Sequence, residues 1–186
     1  MRLSVGIFFC FILGCGWFHP KPSVSENTES LLSAVPLVES GKILNRERLQ
    51  KGGSLLVIPF KAGPGVEADG ELDRMALTIV KGISDKLKEK NTSLKLLDYE
   101  HAQEADFVLQ GHITLVEKPS QFNKWVKRDK TIEVSAEGEI IDLETDKKIV
   151  IFSDSRKSSQ KDATYKDLGY QIGERIGRFL LSGIEN

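Results

Sequence analysis

Asp106-Phe-Val-Leu-Gln-Gly-His-Ile-Thr-Leu-Val-Glu117 carries the clearest structural signal in the chain. Phe107, Leu109, Gly111, Ile113 and Leu115 fall at every second position, against Gln110, His112 and Thr114, and a period of two is that of a strand with one buried and one wet face. The same alternation returns in Thr131 to Asp142, with Ile132, Val134, Ala136, Gly138 and Ile140 inward and Glu133, Ser135, Glu137 and Glu139 outward. The turn Glu144-Thr-Asp-Lys147 then leads into Ile149-Val-Ile-Phe152. Three successive strands joined in this way predict an antiparallel meander.

Upstream of the meander, Leu94 to Asp98 reads as another strand, and Ser54-Leu-Leu-Val-Ile-Pro-Phe60 as a buried one closed by the Gly/Pro turn Lys61-Ala-Gly-Pro-Gly-Val66. That turn lacks the Gly-Lys-Ser/Thr ending of a phosphate loop and reads as a plain strand-to-helix connection. Between these strands, Leu72, Met75, Ala76, Ile79, Val80, Ile83 and Leu87 share one helical face. Asp69 is placed to cap that helix, with acids in its first turn and lysines in its last. A second amphipathic helix spans roughly Tyr165 to Ser182, with Gly169, Gly173 and Gly177 four residues apart beside Leu168, Ile172, Ile176 and Leu180. Each glycine costs an isolated helix about 1 kcal/mol, so the three must serve a purpose. They form a helix-packing groove, filled either by the chain's own sheet or first helix or by a partner helix. The expected fold is α+β: one domain, a mixed sheet of about five strands in the order β-α-β-β-β-β-α, and two amphipathic helices on one face.

The N-terminus has a different character. Arg2 precedes an apolar run from Leu3 that is shorter than the roughly 20 residues a spanning helix needs, and His19-Pro-Lys-Pro22 follows. Met1 to Gly14 therefore reads as a signal peptide. Both cysteines, Cys10 and Cys15, lie in this region, so the folded domain has neither a disulfide nor a thiolate metal site. Residues 15–53, rich in Pro, Ser, Glu and Asn, read as a lipidated N-terminus and tether. About 35 flexible residues reach about 30 Å. The part after Pro36 is open to a second reading as a short helix or strand lying on the domain, because Ile43, Leu44 and Leu49 are apolar. The domain itself is expected over residues 54–186.

Net charge is −1 with 28% charged residues, which gives no reason to expect a nucleic-acid partner. The three histidines, His19, His101 and His112, have no second ligand at usable spacing, so neither metal nor cofactor is expected. Glu133, Glu137 and Glu139 read as a solvated acidic stripe, and no serine sits in a nucleophile elbow, so no catalytic residue is assigned and no enzyme is expected. The segment Lys118 to Lys130 interleaves Phe122 and Trp125 with Lys124, Lys127, Arg128 and Lys130. These residues are the candidate partner- or lipid-binding set, suited to anionic headgroups, glycan or an acidic protein patch; the other reading is an ordinary loop whose Trp folds back on the sheet.

Two resemblances rest on particular residues. Ile12-Leu13-Gly14-Cys15 resembles the bacterial lipobox, which implies attachment of a diacyl lipid to Cys15, cleavage before it, and anchoring in the outer membrane on the periplasmic side, since Gly16 carries no Asp-type retention signal. Leu56-Val-Ile-Pro-Phe60, Ala105-Asp-Phe-Val-Leu-Gln-Gly111 and Ile140-Ile-Asp-Leu-Glu-Thr145 are similar to stations of a group of periplasmic lipoproteins. That group includes the curli-secretion lipoprotein, the activators of penicillin-binding proteins, and the N-terminal domain of the Tol-Pal translocation protein. Asp146 departs from it, standing where many members have Gly. The resemblance implies a binding and assembly factor in envelope biogenesis or secretion, attached to the membrane through Cys15 and working on an envelope protein partner. A competing resemblance, through Cys15-Gly-Trp17 and a similar order of elements, is to the lipopolysaccharide-assembly lipoprotein, which implies contact with glycolipid and a β-barrel translocation protein.

Overall fold

The two alternating stretches pair with each other as expected. In the computed structural model, which describes residues 37–90, 92–117 and 131–185, β5 (Phe107–Glu117), β6 (Ile132–Asp142) and β7 (Lys147–Ser158) form the antiparallel meander. Before them come β1 (Ser40–Ile43), α1 (Arg46–Lys51), β2 (Gly53–Val57), β3 (Lys61–Ala62), α2 (Gly70–Glu89), β4 (Leu94–Leu97) and a 3-10 turn at Tyr99–Glu104; α3 (Tyr165–Glu185) comes last. The described strands make one seven-stranded sheet in the order β1-β7-β6-β5-β2-β4, with β3 beside β5. β2 runs parallel to both β4 and β5, and β1 is antiparallel to β7. The fold is α+β with a mixed open sheet, as the sequence predicts.

The two strands beyond the expected five come from segments with little periodic signal. β3 is two residues long, held by its pairing to His112 and Ile113. β1 comes from the stretch assigned to the tether, and α1 comes directly after it, capped by Asn45, whose side chain accepts from the Arg48 amide at 3.0 Å. Leu49 is fully buried and Ile43 packs against the core, so the apolar residues after Pro36 are used on the sheet and the helices. Residues from Pro36 onward form one unit. The boundary expected at Ser54 therefore moves toward the N-terminus.

A second correction concerns Leu115. The register shifts between Ile113 and Leu115, so Leu115 stands opposite Ser135 and Val116 opposite Val134. This β-bulge reverses the parity of the strand's end: Val116, not Leu115, packs against the core.

The helices form for the reasons their sequences give. Asp69 accepts from the Glu71 and Leu72 amides at 3.0 and 2.9 Å, satisfying two otherwise unpaired donors at the start of α2. Thr164, just ahead of α3, and Asp167 in its first turn exchange side-chain and backbone bonds, a reciprocal capping box. Leu72, Met75, Ala76, Ile79, Ile83 and Leu87 of α2 and Leu168, Ile172, Ile176, Leu180 and Leu181 of α3 share one core with the inward rows of the sheet. Burial of each large side chain contributes about 1.5–3 kcal/mol, which ties the helix pair to that face.

Candidate functional site

The sites expected from sequence fall into two groups. Cys15 and the basic aromatic set Phe122, Lys124, Trp125, Lys127, Arg128 and Lys130 lie outside the described residues. Gly169, Gly173 and Gly177 are described, and they face α2. A β-carbon on Gly169 would lie 2.8 Å from Thr78 Oγ1, one on Gly177 2.6 Å from Lys86 Cβ, and one on Gly173 would collide with the Ile79 carbonyl. Gly82 is the matching residue on α2, where a β-carbon would collide with the Tyr170 carbonyl and stand 2.8 Å from the Glu174 amide. The chain's own α2, the first of the two helices expected from the sequence, occupies this groove. Gly82 escaped the sequence reading because a single glycine in an apolar face carries no spacing signal.

The opposite face of the sheet carries an open groove of 670 Å³. Register lines up two rows across four strands: Gln110, Glu139, Ile151 and Lys42 in one, and His112, Glu137, Ser153 and Ser40 in the next. Between them lies the row Gly111, Gly138, Phe152 and Gly41, so the floor of the groove is backbone. On the core side, the rings of Phe60 and Phe152 lie over Gly111 and Gly138, where any β-carbon would clash. These close approaches explain the glycines in otherwise regular strands.

Most of the acidic stripe is paired across strands instead of being left to solvent. Glu139 accepts from Gln110 Nε2 at 3.1 Å and meets Lys148 Nζ at 2.6 Å. Burial pushes its carboxyl up, and these two partners outweigh that effect, so it titrates below the ordinary 4.5. Glu133 bonds Lys157 at 2.9 Å, and this hydrogen bond holds its carboxyl low as well. Glu137 stands exposed opposite His112. The face offers donors and acceptors of both signs around a half-exposed Ile151, a chemistry suited to noncovalent contact with a polar surface.

Two buried carboxylates were missed. Asp142 and Asp154 continue the inward parity of β6 and β7, at 2% and 0% exposure, where the pattern calls for apolar residues. Asp142 accepts from Arg48 Nη2 at 3.0 Å and Thr145 Oγ1 at 2.8 Å, while Arg48 also donates to the Gly52 carbonyl and lies 4.2 Å over the Phe107 ring. Burial raises the Asp142 carboxyl, but the Thr145 and Arg48 bonds outweigh it and leave it below the ordinary 3.8. Asp154 is bound through both oxygens by Arg175 Nε, at 3.1 and 2.9 Å. There burial prevails, and its carboxyl is pushed up despite Arg175. Both pairs fasten one element to another, α1 to the end of β6 and α3 to β7. Among the described residues no three His, Cys, Asp or Glu side chains are grouped so as to hold a metal ion, and no helix is long and apolar enough to cross a membrane.

No family model and no curated protein sequence matches the chain. Solved structures do match it. PelC from Paraburkholderia phytofirmans, solved as a dodecamer, superposes with a TM-score of 0.50 at 14% identity, over 79% of this chain and 96% of PelC. This chain is similar to PelC in fold. The protein XCC0632 from Xanthomonas campestris gives a TM-score of 0.49 at 12% identity, over 72% of this chain and 87% of its own. The lipoprotein GNA1162 from Neisseria meningitidis gives 0.44 at 16%, over 68% and 97%. At these identities the likeness to PelC is one of architecture, and it spans nearly the whole PelC chain.

Proposed function

We propose that this protein is a lipid-anchored, non-enzymatic binding and assembly factor of the bacterial envelope, held by acylated Cys15 at the periplasmic face of the outer membrane. The observation that carries the reading is the stretch Ile12-Leu13-Gly14-Cys15, at the end of a short apolar run, ahead of a unit with the fold of PelC. Each acyl methylene buried in the bilayer contributes about 0.8 kcal/mol, so two or three chains on one residue make a lasting anchor. Beyond it, the buried charges of the folded unit are spent on joining elements, and the surface left uncovered by the helices is a mixed-charge groove. Both fit a protein that works by contact. PelC is a dodecamer, so a second copy of this chain is the first partner to test, followed by envelope proteins of the secretion and peptidoglycan-synthesis machinery.

Cross-linking in intact cells, comparing wild type with Cys15→Ala, tests the proposal. Wild-type protein cross-linked to its own copies or to a defined envelope protein, with the adduct reduced in the variant, is the expected result. A wild type that stays monomeric and acquires no envelope partner overturns it.

A further inference from the structure

Asp154 is the most deeply buried charge among the described residues, and one of its bonds reaches beyond its ion pair. Besides Arg175, it accepts from the backbone amide of Glu39 at 3.0 Å, immediately ahead of β1. From Glu39 the chain runs along the outside of β7, with Ser40 opposite Ser153 and Ile43 opposite Val150, and Ser40, Gly41 and Lys42 are exposed. Val38 is the only residue from Leu37 to Ile43 that is fully tucked in, while Leu37 and Ile43 are half-buried and Gly41 lies beneath Phe179 and Val38.

The chain after Ile43 is held independently. The Leu44 and Asn45 amides donate to the Ile149 carbonyl, and α1 is fixed by Leu49 and by Arg48 on Asp142. The stretch 37–43 is thus a short edge with little burial, fastened at one end by a buried carboxylate and at the other by an element that does not depend on it. Segments of this kind open locally at far less cost than the whole fold.

We infer that residues 37–43 form a strap that leaves β7 as a unit, and that the Asp154–Arg175 pair is the clasp that holds it closed. Arg175 positions the carboxylate, and the carboxylate positions Glu39. Opening the strap leaves α1 and the three-stranded meander intact and uncovers the β7 edge from Val150 to Ser153, the kind of edge that strand addition uses.

Amide hydrogen exchange on the full chain tests this. In the wild type, amides of residues 39–43 are expected to exchange at least about tenfold faster than those of β6. Asp154→Asn speeds the strap about tenfold further, because it removes a charge-assisted bond, and β6 speeds by no more than the same factor, since a bond lost on strap opening is also lost on global unfolding. Val38→Ala, which keeps the ion pair, likewise speeds the strap and serves if the Asp154 variant does not fold, whereas Val116→Ala, remote from the strap, speeds β6 and leaves the strap unchanged. Strap amides that exchange in step with β6 in the wild type, a strap unchanged by Asp154→Asn, or a strap that speeds together with β6 in Val116→Ala, overturn the inference.

Discussion

Gly173→Ala is the perturbation that separates packing from helix propensity most cleanly. In an isolated helix the change is favourable by about 1 kcal/mol. Here the added β-carbon would collide with the Ile79 carbonyl and sit 3.0 Å from Gly82 Cα, both backbone atoms that no rotamer change can move. α2 and α3 must separate, and overpacking of this kind costs about 1–3 kcal/mol before the loosened contacts of Met75, Ile79, Ile172 and Ile176 are counted. The expected net loss is about 1–2 kcal/mol. Gly70→Ala is the control, since its β-carbon would meet nothing within 4 Å, and it should be neutral or mildly stabilising. Urea titration followed by far-UV circular dichroism reads both variants, with the midpoint lowered and the slope unchanged for Gly173→Ala. A Gly173→Ala protein as stable as the wild type would refute the backbone contact between the helices and return the glycine groove to solvent or to a partner.

Two further outcomes are expected. Asp142→Ala leaves the half-buried Arg48 without its carboxylate partner and should cost about 3 kcal/mol at neutral pH. Because the Asp142 carboxyl is held below its ordinary 3.8, its contribution is present above that value and is lost as pH falls through the lower folded value. Urea midpoints measured from pH 7 downward should therefore show the gap between variant and wild type closing below about pH 4. At the bulge, Val116→Ala should destabilise by about 1 kcal/mol and more than Leu115→Ala does, as measured by the same titration. The reverse order would mean that the simple alternation read from the sequence is correct.

Much of this fold is legible in the sequence because a single period runs through each large element. The inward rows of β5 and β6 and the apolar face of α2 need no tertiary information, and Asp69 marks the start of α2 because no intrahelical group can satisfy the donors there. The features that escaped were set by contacts between distant segments. β1 shows no alternation in four residues and is a strand because β7 offers it an edge. The bulge at Thr114 is a property of pairing with β6, not of β5 alone. Asp142 and Asp154 sit at apolar parity, and their partners Arg48 and Arg175 are 94 and 21 residues away, so neither pair has a local signature. Of the candidate site, the glycine groove was visible as a spacing, while its occupant became clear only when α2 was placed beside it. The outer groove was visible as polar residues on two strands, and their cross-strand pairing required the register.

The proposed role depends first on a thioether-linked lipid at Cys15 that holds this unit at the outer membrane. Metabolic labelling with a fatty-acid analogue, in wild type and Cys15→Ala, with the membranes fractionated in parallel, is the decisive assay. Label on the wild type, none on the variant, and wild-type protein in the outer-membrane fraction are expected. Unlabelled wild-type protein, or label that survives the loss of Cys15, would overturn the anchor and the role built on it.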